Sequence, residues 1–492
     1  MNNKGQTTVL FSLMIGVIVL FTLTALEVGR IHMRTVKIES CAHSMRSSIM
    51  ADYNEELFER YHLLFMDPTY GTRSEAVLEE KVKDYIEVSL NGDKGNALYQ
   101  FEVEEIAISE KKTILFDNME LFKQQIEDYE KSVGILVRAK ELLSRIKGKR
   151  SPIDEALQET EINGVELTVP EAEQEKSQEE KNKTVDDKEV NDPRNVLKES
   201  LQLGILSLVA PGKTFSKEEH DFENAPSRQY KEDMEKESDN SFDDIGVLKR
   251  LLQDVTDKDM EESLTQHIAL SDYVVSNFSN GVNRLDNCVM QCEVEYILKG
   301  KATDYDNMEA VASEMTWLRM PVNYAYLLTD VEKKSQALIM ATSICVATGT
   351  EPLIEIVKYL LLGCWAYGES LQEMRILLDG GKIPYVKTGM SWYTDLESLS
   401  AVNQVENQES GLSYEDFLML LVAKRGGVSL DKEYARVLDV VDMNLRKNDS
   451  NFHIADCVGA LTIQGKVKMD ELFSRGDEDV YSYYFEKTIV YE

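Results

Sequence analysis

The chain has 492 residues, a formal net charge of −34 at pH 7, 43% hydrophobic residues, 22 Tyr and 15 Phe. That length and apolar content build two or three domains with real cores. The charge excludes a nucleic-acid partner, because so negative a surface repels phosphate instead of releasing counterions to it.

The first predicted element is a membrane span. Over residues 6–26 no side chain is charged, and at about 1.5 Å per residue that run crosses a bilayer core. It is too long for the apolar region of a secretory signal, only Lys4 precedes it, and no small-x-small cleavage site follows, so a retained helix is expected. The helical pattern continues without Pro to "MDPTYG", where Pro68 and Gly71 are breakers. Leu57, Tyr61, Leu64 and Phe65 form a face that wants a partner. One helix is therefore expected over residues 1–66, buried in lipid below and amphipathic above. Glu27, at the lipid boundary, either reaches water or meets a positive group on a neighbouring membrane helix; in the second reading Glu27 and Arg30 set helix register. Arg30, Arg34 and Lys37 against Lys4 favour an inside C-terminus by the positive-inside rule, although long domains translocate largely regardless of nearby charge.

Residues 67–150 read as a strand followed by an amphipathic helix. Phe101 and Val103 share one face and Ile106 and Ile108 the other, a conflict that a bulge at Glu104 and Glu105 resolves. The helix is expected over 117–147, with Asp117 as N-cap. Residues 151–244 are Glu-rich and poor in large apolar groups, which predicts a disordered insert. Within it "LKESLQLGILSLVAPG" is an apolar island expected to dock on a folded part, and "KEEHDFENAPSRQYKEDMEKESDNSFDD" returns to solvated linker.

Residues 245–450 form a helical body, with strong segments at 304–328, 331–347, 353–378 and 413–446. The most apolar piece after the anchor, "ALIMATSICVATGTEPLIEIVKYLLLGCWAYG", is broken by Gly349, Glu351 and Pro352, which predicts a buried helical hairpin and not a second crossing. Residues 451–492 change period: Leu461, Ile463 and Val467 alternate with polar residues, and Tyr481, Tyr483, Phe485 and Ile489 share a face. Joined to the Phe101 strand, and to "EVEYIL", they make a small antiparallel sheet that ties the blocks together across the insert. The expected fold class is α+β, mainly α-helical.

Motif chemistry is thin. The six cysteines, Cys41, Cys288, Cys292, Cys345, Cys364 and Cys457, are too sparse for a disulfide framework and read as buried or idle thiols. Ser109-x-x-Lys112, Ser144-x-x-Lys147, "SDN" at 238–240 and "KTG" at 387–389 follow the order of a penicillin-binding serine acyl-enzyme. Their context opposes it, since Ser144 ends a helix, Ser109 lies on a strand end and "SDN" sits in the linker. "DYDNME" at Asp304 starts like a calcium loop but lacks its Gly and its final Glu, so Asp304 reads as a helix N-cap. "RGD" at 475–477 is a lone tripeptide, and the six histidines form no spaced pair. No catalytic, cofactor-binding or metal residue is expected, and the protein reads as a non-enzyme.

"KGQTTVLF" resembles the start of the TadE-like pseudopilins of tight-adherence (Tad) pili. Gly5 matches the residue after which a prepilin peptidase cuts, so Gly5 and Gln6 are the candidate processing positions; Phe11 matches the family Phe, while Leu10 stands where the family has Glu. "LEVGR" resembles the Glu-x-Gly-Arg close of those helices. "LFERYHLLFMDPTYG", "CEVEYILKGKATDYDN", "YAYLLTD" and "GLSYEDFLMLL" resemble an uncharacterised bacterial family, anchored at the N-terminus, that accompanies Tad components. The resemblance implies a single-pass cell-membrane protein with its bulk outside the cytoplasm, a pseudopilin-like component or accessory acting by helix-mediated assembly. Its implied partners are membrane lipid, other pilus or pseudopilin membrane helices and further copies of itself, with no cofactor. The alternative is an anchored extracytoplasmic domain that binds envelope ligands independently of any pilus.

Overall fold

A computed structural model describes residues 3–72, 74, 76–92, 101–133, 202, 204–222, 224–229, 258–397, 399, 411–423, 428–470 and 480–491. The chain divides into two units, residues 1–126 with 441–492 and residues 127–440.

Unit one is organised by α1 (Asn3–Met50), 48 residues without a break and so roughly 72 Å long. The helix ends sooner than expected. After Met50 the amides of Ala51 and Asp52 turn back to the Ser48 and Ile49 carbonyls, and α2 (Glu55–Tyr61) starts afresh with Asn54 as N-cap, its side chain accepting the Leu57 amide at 2.9 Å. The single helix over 1–66 is therefore corrected to two, because Asn54 satisfies an orphan donor that a continuous helix would not leave. Leu57, Tyr61 and Phe65 are buried, so that face does find its partner.

Three strands, β1 (Phe101–Thr113), β2 (Val458–Asp470) and β3 (Val480–Val490), form an antiparallel sheet in the order β1-β2-β3. Phe101 pairs with Met469 and Val103 with Val467; the register slips between Val103 and Glu105, and Ile106 then faces Gly465. This is the bulge the sequence required, and it returns Ile106 and Ile108 to the core face. Against that face lie Ile38, Ala42, Met45 and Ile49 of α1, and Leu78, Val82, Ile86 and Leu90 of α3 (Ala76–Asn91), each set at helical spacing. The opposite face is polar, with Lys466 and Lys468 both paired to Glu104, at 2.7 and 2.6 Å.

Asp117 is not the N-cap of α4 (Phe116–Val133). Asp117, Asn118 and Met119 all take left-handed φ values, 48, 55 and 62°, and the regular helix starts after them. Residues 134–147, where that helix was expected to continue, lie outside the described residues.

Unit two is helical: α5 (Ile205–Val209), α6 (Lys258–Asn277), α7 (Glu293–Lys299), α8 (Asp304–Thr329), α9 (Val331–Thr348), α10 (Ile354–Leu378), α11 (Tyr414–Ala423) and most of α12 (Val428–Arg446). The expected segments at 304–328, 331–347 and 353–378 match within one or two residues, and 413–446 resolves into α11 and α12. "EVEYIL" is α7 and not a strand. Val294, Ile297 and Leu298 fall at i, i+3 and i+4, and Gly300 closes the helix at a φ of 63°. The apolar island docks as expected: Ile205, Leu206 and Val209 are buried, and Glu309 accepts the Ile205 and Leu206 amides at 2.6 and 2.9 Å. The linker expectation is corrected for the stretch that follows. The Ser216 carbonyl accepts the Tyr305 amide, His220 donates to the Ala302 carbonyl, and the Phe222 ring stacks on Tyr296 at 4.6 Å. Most of the remaining insert, including 151–200 and 230–244, lies outside the described residues.

The hairpin of α9 and α10 is buried on one side only. The inward stripe of α9 is Ala337, Ala341 and Cys345, and these small side chains let α10 approach closely. The larger Ile339 and Val346 are left facing out.

Gly465 sits on the core face opposite Phe485, and a Cβ there would collide with the Phe485 ring. Gly465→Val is expected to destabilise the protein by about 1–3 kcal/mol through overpacking, and Phe485→Ala by about 3–5 kcal/mol through the cavity it leaves. Urea titrations followed by far-UV circular dichroism measure both, and a Gly465→Val midpoint at or above wild type would contradict this account of the sheet.

Candidate functional site

Function is legible first along α1. Its apolar part has a mean hydropathy of 2.6 with none of it buried inside the protein, and among the described residues it is the one helix long and apolar enough to cross a membrane. Two hydroxyls in the span are satisfied by their own helix: Thr22 donates to the Val19 carbonyl at 2.8 Å, and Thr24 to the Leu20 and Phe21 carbonyls at 3.0 and 2.9 Å. Thr8 and Ser12 lie one turn apart on the exposed surface of the helix. Gly16 continues that stripe one turn further, giving the small-residue spacing that lets membrane helices approach. Gly5 and Gln6 lie within the helical backbone at its start.

The base of α1 carries its charges on one face. Arg30 donates to both carboxylate oxygens of Glu27, at 2.7 and 3.1 Å, so a positive group of its own helix meets Glu27 in this structure. The Arg34 guanidinium lies 5.5 Å from the centre of the Phe101 ring, and Lys37 donates to the Leu90 carbonyl at 2.7 Å while lying 5.4 Å from the same ring. Two residues on, Glu39 accepts Tyr483 at 2.6 Å and Lys487 at 2.7 Å, and those two hydrogen bonds, Lys487 first, hold its carboxyl below the usual range. The helix is thus fastened to β3 as well as to the core.

Unit two contains a buried ionic cluster at "KTG". Lys387 is fully buried and donates to Glu369 at 2.5 Å and to the Ser391 carbonyl at 2.7 Å, and it lies 2.9 Å from Glu373. Arg319 of α8 grips Glu373 of α10 through two bonds of 2.9 and 2.8 Å and donates to the Tyr385 and Pro384 carbonyls. Glu369 also accepts the Tyr393 and Thr394 amides and the Thr394 hydroxyl. Two carboxylates thus balance two cations with their hydrogen-bonding capacity taken up. Burial alone would raise the Glu373 carboxyl, but the Arg319 and Lys387 charges outweigh it and hold it at about 2. Lys387 is thus held inside unit two by Glu369, Glu373 and the Ser391 carbonyl. Ser109 lies on β1 in unit one, while Ser144, Lys147 and "SDN" lie outside the described residues.

A second cluster surrounds the N-terminus of α7. The Glu295 Oε1 atom accepts the Tyr414 hydroxyl at 2.6 Å and the Gly281 amide at 2.9 Å, while its buried Oε2 has no partner among the described residues. Burial pushes the Glu295 carboxyl up to about 7, partly offset by those two bonds. Asp304 is one residue inside α8 and not its cap. Thr303 caps the helix, and the Asp304 carboxylate accepts the Gln291 and Cys292 amides, both at 3.1 Å. Among the described residues no group of three His, Cys, Asp or Glu is placed to hold a metal ion, and all six cysteines are free thiols. "RGD" lies outside the described residues. Sequence reading missed Arg319, Glu369 and Glu373; the available signal was a carboxylate pair at i and i+4 inside the apolar α10.

The model of DUF5702, a family of unknown function, matches residues 183–469, more than half of the chain. The chain belongs to this family. No curated protein and no solved structure matches it. The DUF5702 match spans α5 to α12 and nearly all of β2, so both charge clusters fall inside it and α1 falls outside.

The two carboxyls act on stability in opposite senses. The depressed Glu373 contributes fully above about pH 4.5, and its contribution is expected to fade as pH falls toward about 2. Lys387→Met, which strands the two glutamates, is expected to cost about 3–5 kcal/mol at pH 7, and unfolding midpoints in the wild-type range would refute the cluster. For the raised Glu295 the folded chain keeps a proton that the unfolded chain releases, so stability is expected to fall as pH rises from about 4.5 through about 7. Glu295→Gln should accordingly shift the thermal midpoint upward more at pH 8 than at pH 5, which differential scanning calorimetry reads directly.

Proposed function

We propose that this is a non-enzymatic single-pass membrane protein whose body lies outside the cytoplasm. It serves as a pseudopilin-like component or accessory of a Tad-type pilus or secretion machine and works by lateral assembly of membrane helices. The observation that carries this reading is α1 itself. One helix exposes apolar side chains over its first half and buries Ile38, Ala42, Met45 and Ile49 against an antiparallel sheet over its second. That is the shape of a pilin-like stalk: any lateral partner of the span positions the sheet rigidly, because no loop intervenes. The "KGQTTVLF" and "LEVGR" resemblances point the same way. The cations that would favour the opposite orientation are engaged in unit one, Arg30 by Glu27, Arg34 by Phe101 and Lys37 by Leu90. Glu27 and Arg30, at the end of the span, and the small-residue stripe through Ser12 and Gly16 are the surfaces assigned to neighbouring helices.

Purification from gentle detergent tests the proposal. Wild type is expected to bring down pilus-machine membrane proteins, and a chain with residues 7–26 scrambled is expected to stay in the membrane through an alkaline carbonate wash yet lose most of that recovery. Equal recovery from both would reduce α1 to a tether and sink the assembly role. Mass spectrometry of the mature protein is expected to find Gln6 at its start, and an intact Met1 would remove processing at Gly5 from the proposal.

A further inference from the structure

We propose that Glu295 is a proton-operated latch on the loop of residues 280–290, which lies closed while the carboxyl keeps its proton and lifts once the proton leaves. The loop is hinged at both ends on other carboxylates. Glu293 accepts the Ser279 amide at 2.8 Å, and Asp304 accepts the Gln291 and Cys292 amides, both at 3.1 Å. Between those hinges the Gly281 amide donates to Glu295 Oε1 at 2.9 Å. The loop lies flush there, since a Cβ on Gly281 would sit 2.8 Å from the Met308 sulfur and 3.3 Å from Glu295 Oε1. Beyond that point residues 282–287 and 289 are exposed. The turn is closed by its own groups: Asn280 Oδ1 accepts the Val282 and Asn283 amides at 3.0 and 2.8 Å, and Ser279 Oγ accepts the Leu285 amide at 2.9 Å. It can therefore move as one piece.

The pocket under the loop suits a neutral carboxyl. Glu295 Oε1 also accepts the Tyr414 hydroxyl of α11 at 2.6 Å, while Oε2 is buried with no partner among the described residues. The titratable groups nearest in the fold are acids or neutral: Cys292 and Glu293 at the start of α7, Asp304 of α8 and Tyr414. The cations are engaged elsewhere. His220 lies 3.5 Å from Asp304, and Arg284 of the loop donates to Gln291 at 3.2 Å. On α12, Arg436 donates to the Ile297 and Leu298 carbonyls, and Asp439 accepts the Tyr296 hydroxyl. The remaining loop groups are Asp286 and Cys288, and Glu415 accepts the Asn283 side chain at the exposed edge. A negative charge on Oε2 is uncompensated in place and calls for water. The helices α7, α8 and α11 are packed through buried side chains, so the exposed loop is the part that yields.

Burial holds the carboxyl of the closed form at about 7, whereas water under a lifted loop returns it toward the ordinary value of about 4.5. The open form binds the proton more weakly. Opening therefore becomes easier as pH rises from about 4.5, by roughly tenfold per pH unit, and levels off above about 7.

Hydrogen exchange of the detergent-solubilised full chain, read residue by residue with mass spectrometry and corrected for the intrinsic pH dependence of amide exchange, tests this. The Gly281 amide is expected to lose protection on the order of fiftyfold between pH 5 and pH 8. At each pH it should exchange at least tenfold faster than Leu371 and Leu377 of α10 and be indifferent to low urea, which speeds exchange through global unfolding. Glu295→Gln should leave the Gly281 protection flat with pH, to within about twofold. Tyr414→Phe, which removes a bond favouring the ionised carboxyl, should keep the slope and move the levelling-off above pH 7. Protection of Gly281 that ignores pH, a Glu295→Gln chain that keeps the dependence, or a Gly281 amide that exchanges only together with α10 would each overturn the latch. All of these readouts lie within unit two and are independent of any assembly through α1.

Discussion

A backbone inside hydrocarbon finds no water for its N–H and C=O groups, so it has to satisfy them within its own helix. The apolar part of α1 is long enough and apolar enough to meet that demand. Its span holds no charged side chain, the Thr22 and Thr24 hydroxyls bond back to their own helix, and the charges that follow the span, Glu27 and Arg30, pair with each other. The same hydrogen-bonded ladder then runs on for 48 residues in all. Because the ladder is never interrupted, the exposed apolar face of the first half and the face that enters the core share one rotational register.

That shared register explains the order of residues at the base of the helix. Glu27, Arg30, Arg34 and Lys37 step along one side, and the last two reach Phe101 at the start of β1. Ile38, Ala42, Met45 and Ile49 carry the sheet, and Glu39 ties β3 through Tyr483 and Lys487. A rotation of the apolar half of α1 would be felt directly by the sheet.

Unit two uses buried polarity in two different ways. Around Lys387, opposite charges are matched two against two and Glu373 stays ionised. Around Glu295, no cation among the described residues is hydrogen-bonded to the carboxyl, and burial favours its neutral form. Breaking such clusters is costly, and apolar replacements can be as stable, so their value lies in specifying one arrangement of helices over its competitors. The hairpin of α9 and α10 is the counterpart on the surface: its small residues face in and several of its aliphatic ones face out.

Local patterns were enough to read the long apolar helix at the start of the chain, the boundaries of α8, α9 and α10, and the alternation of β2, because hydrophobic period and breakers act over a few residues. The bulge at Glu104 was legible for the same reason, since a strand whose apolar face switches at one point must gain a residue there. Tertiary structure alone decided the rest. Asn54 could be assigned as a cap, and the long helix split, only once a partner for α2 was in place. "EVEYIL" carries a strand-like alternation that burial on all sides turns into a helix, and Lys387 changes from a motif lysine to a paired one only when Glu369 and Glu373 arrive from α10. The outward face of the hairpin was read from sequence as buried, since apolar content reports that a residue seeks cover and is silent on whether its own chain supplies it.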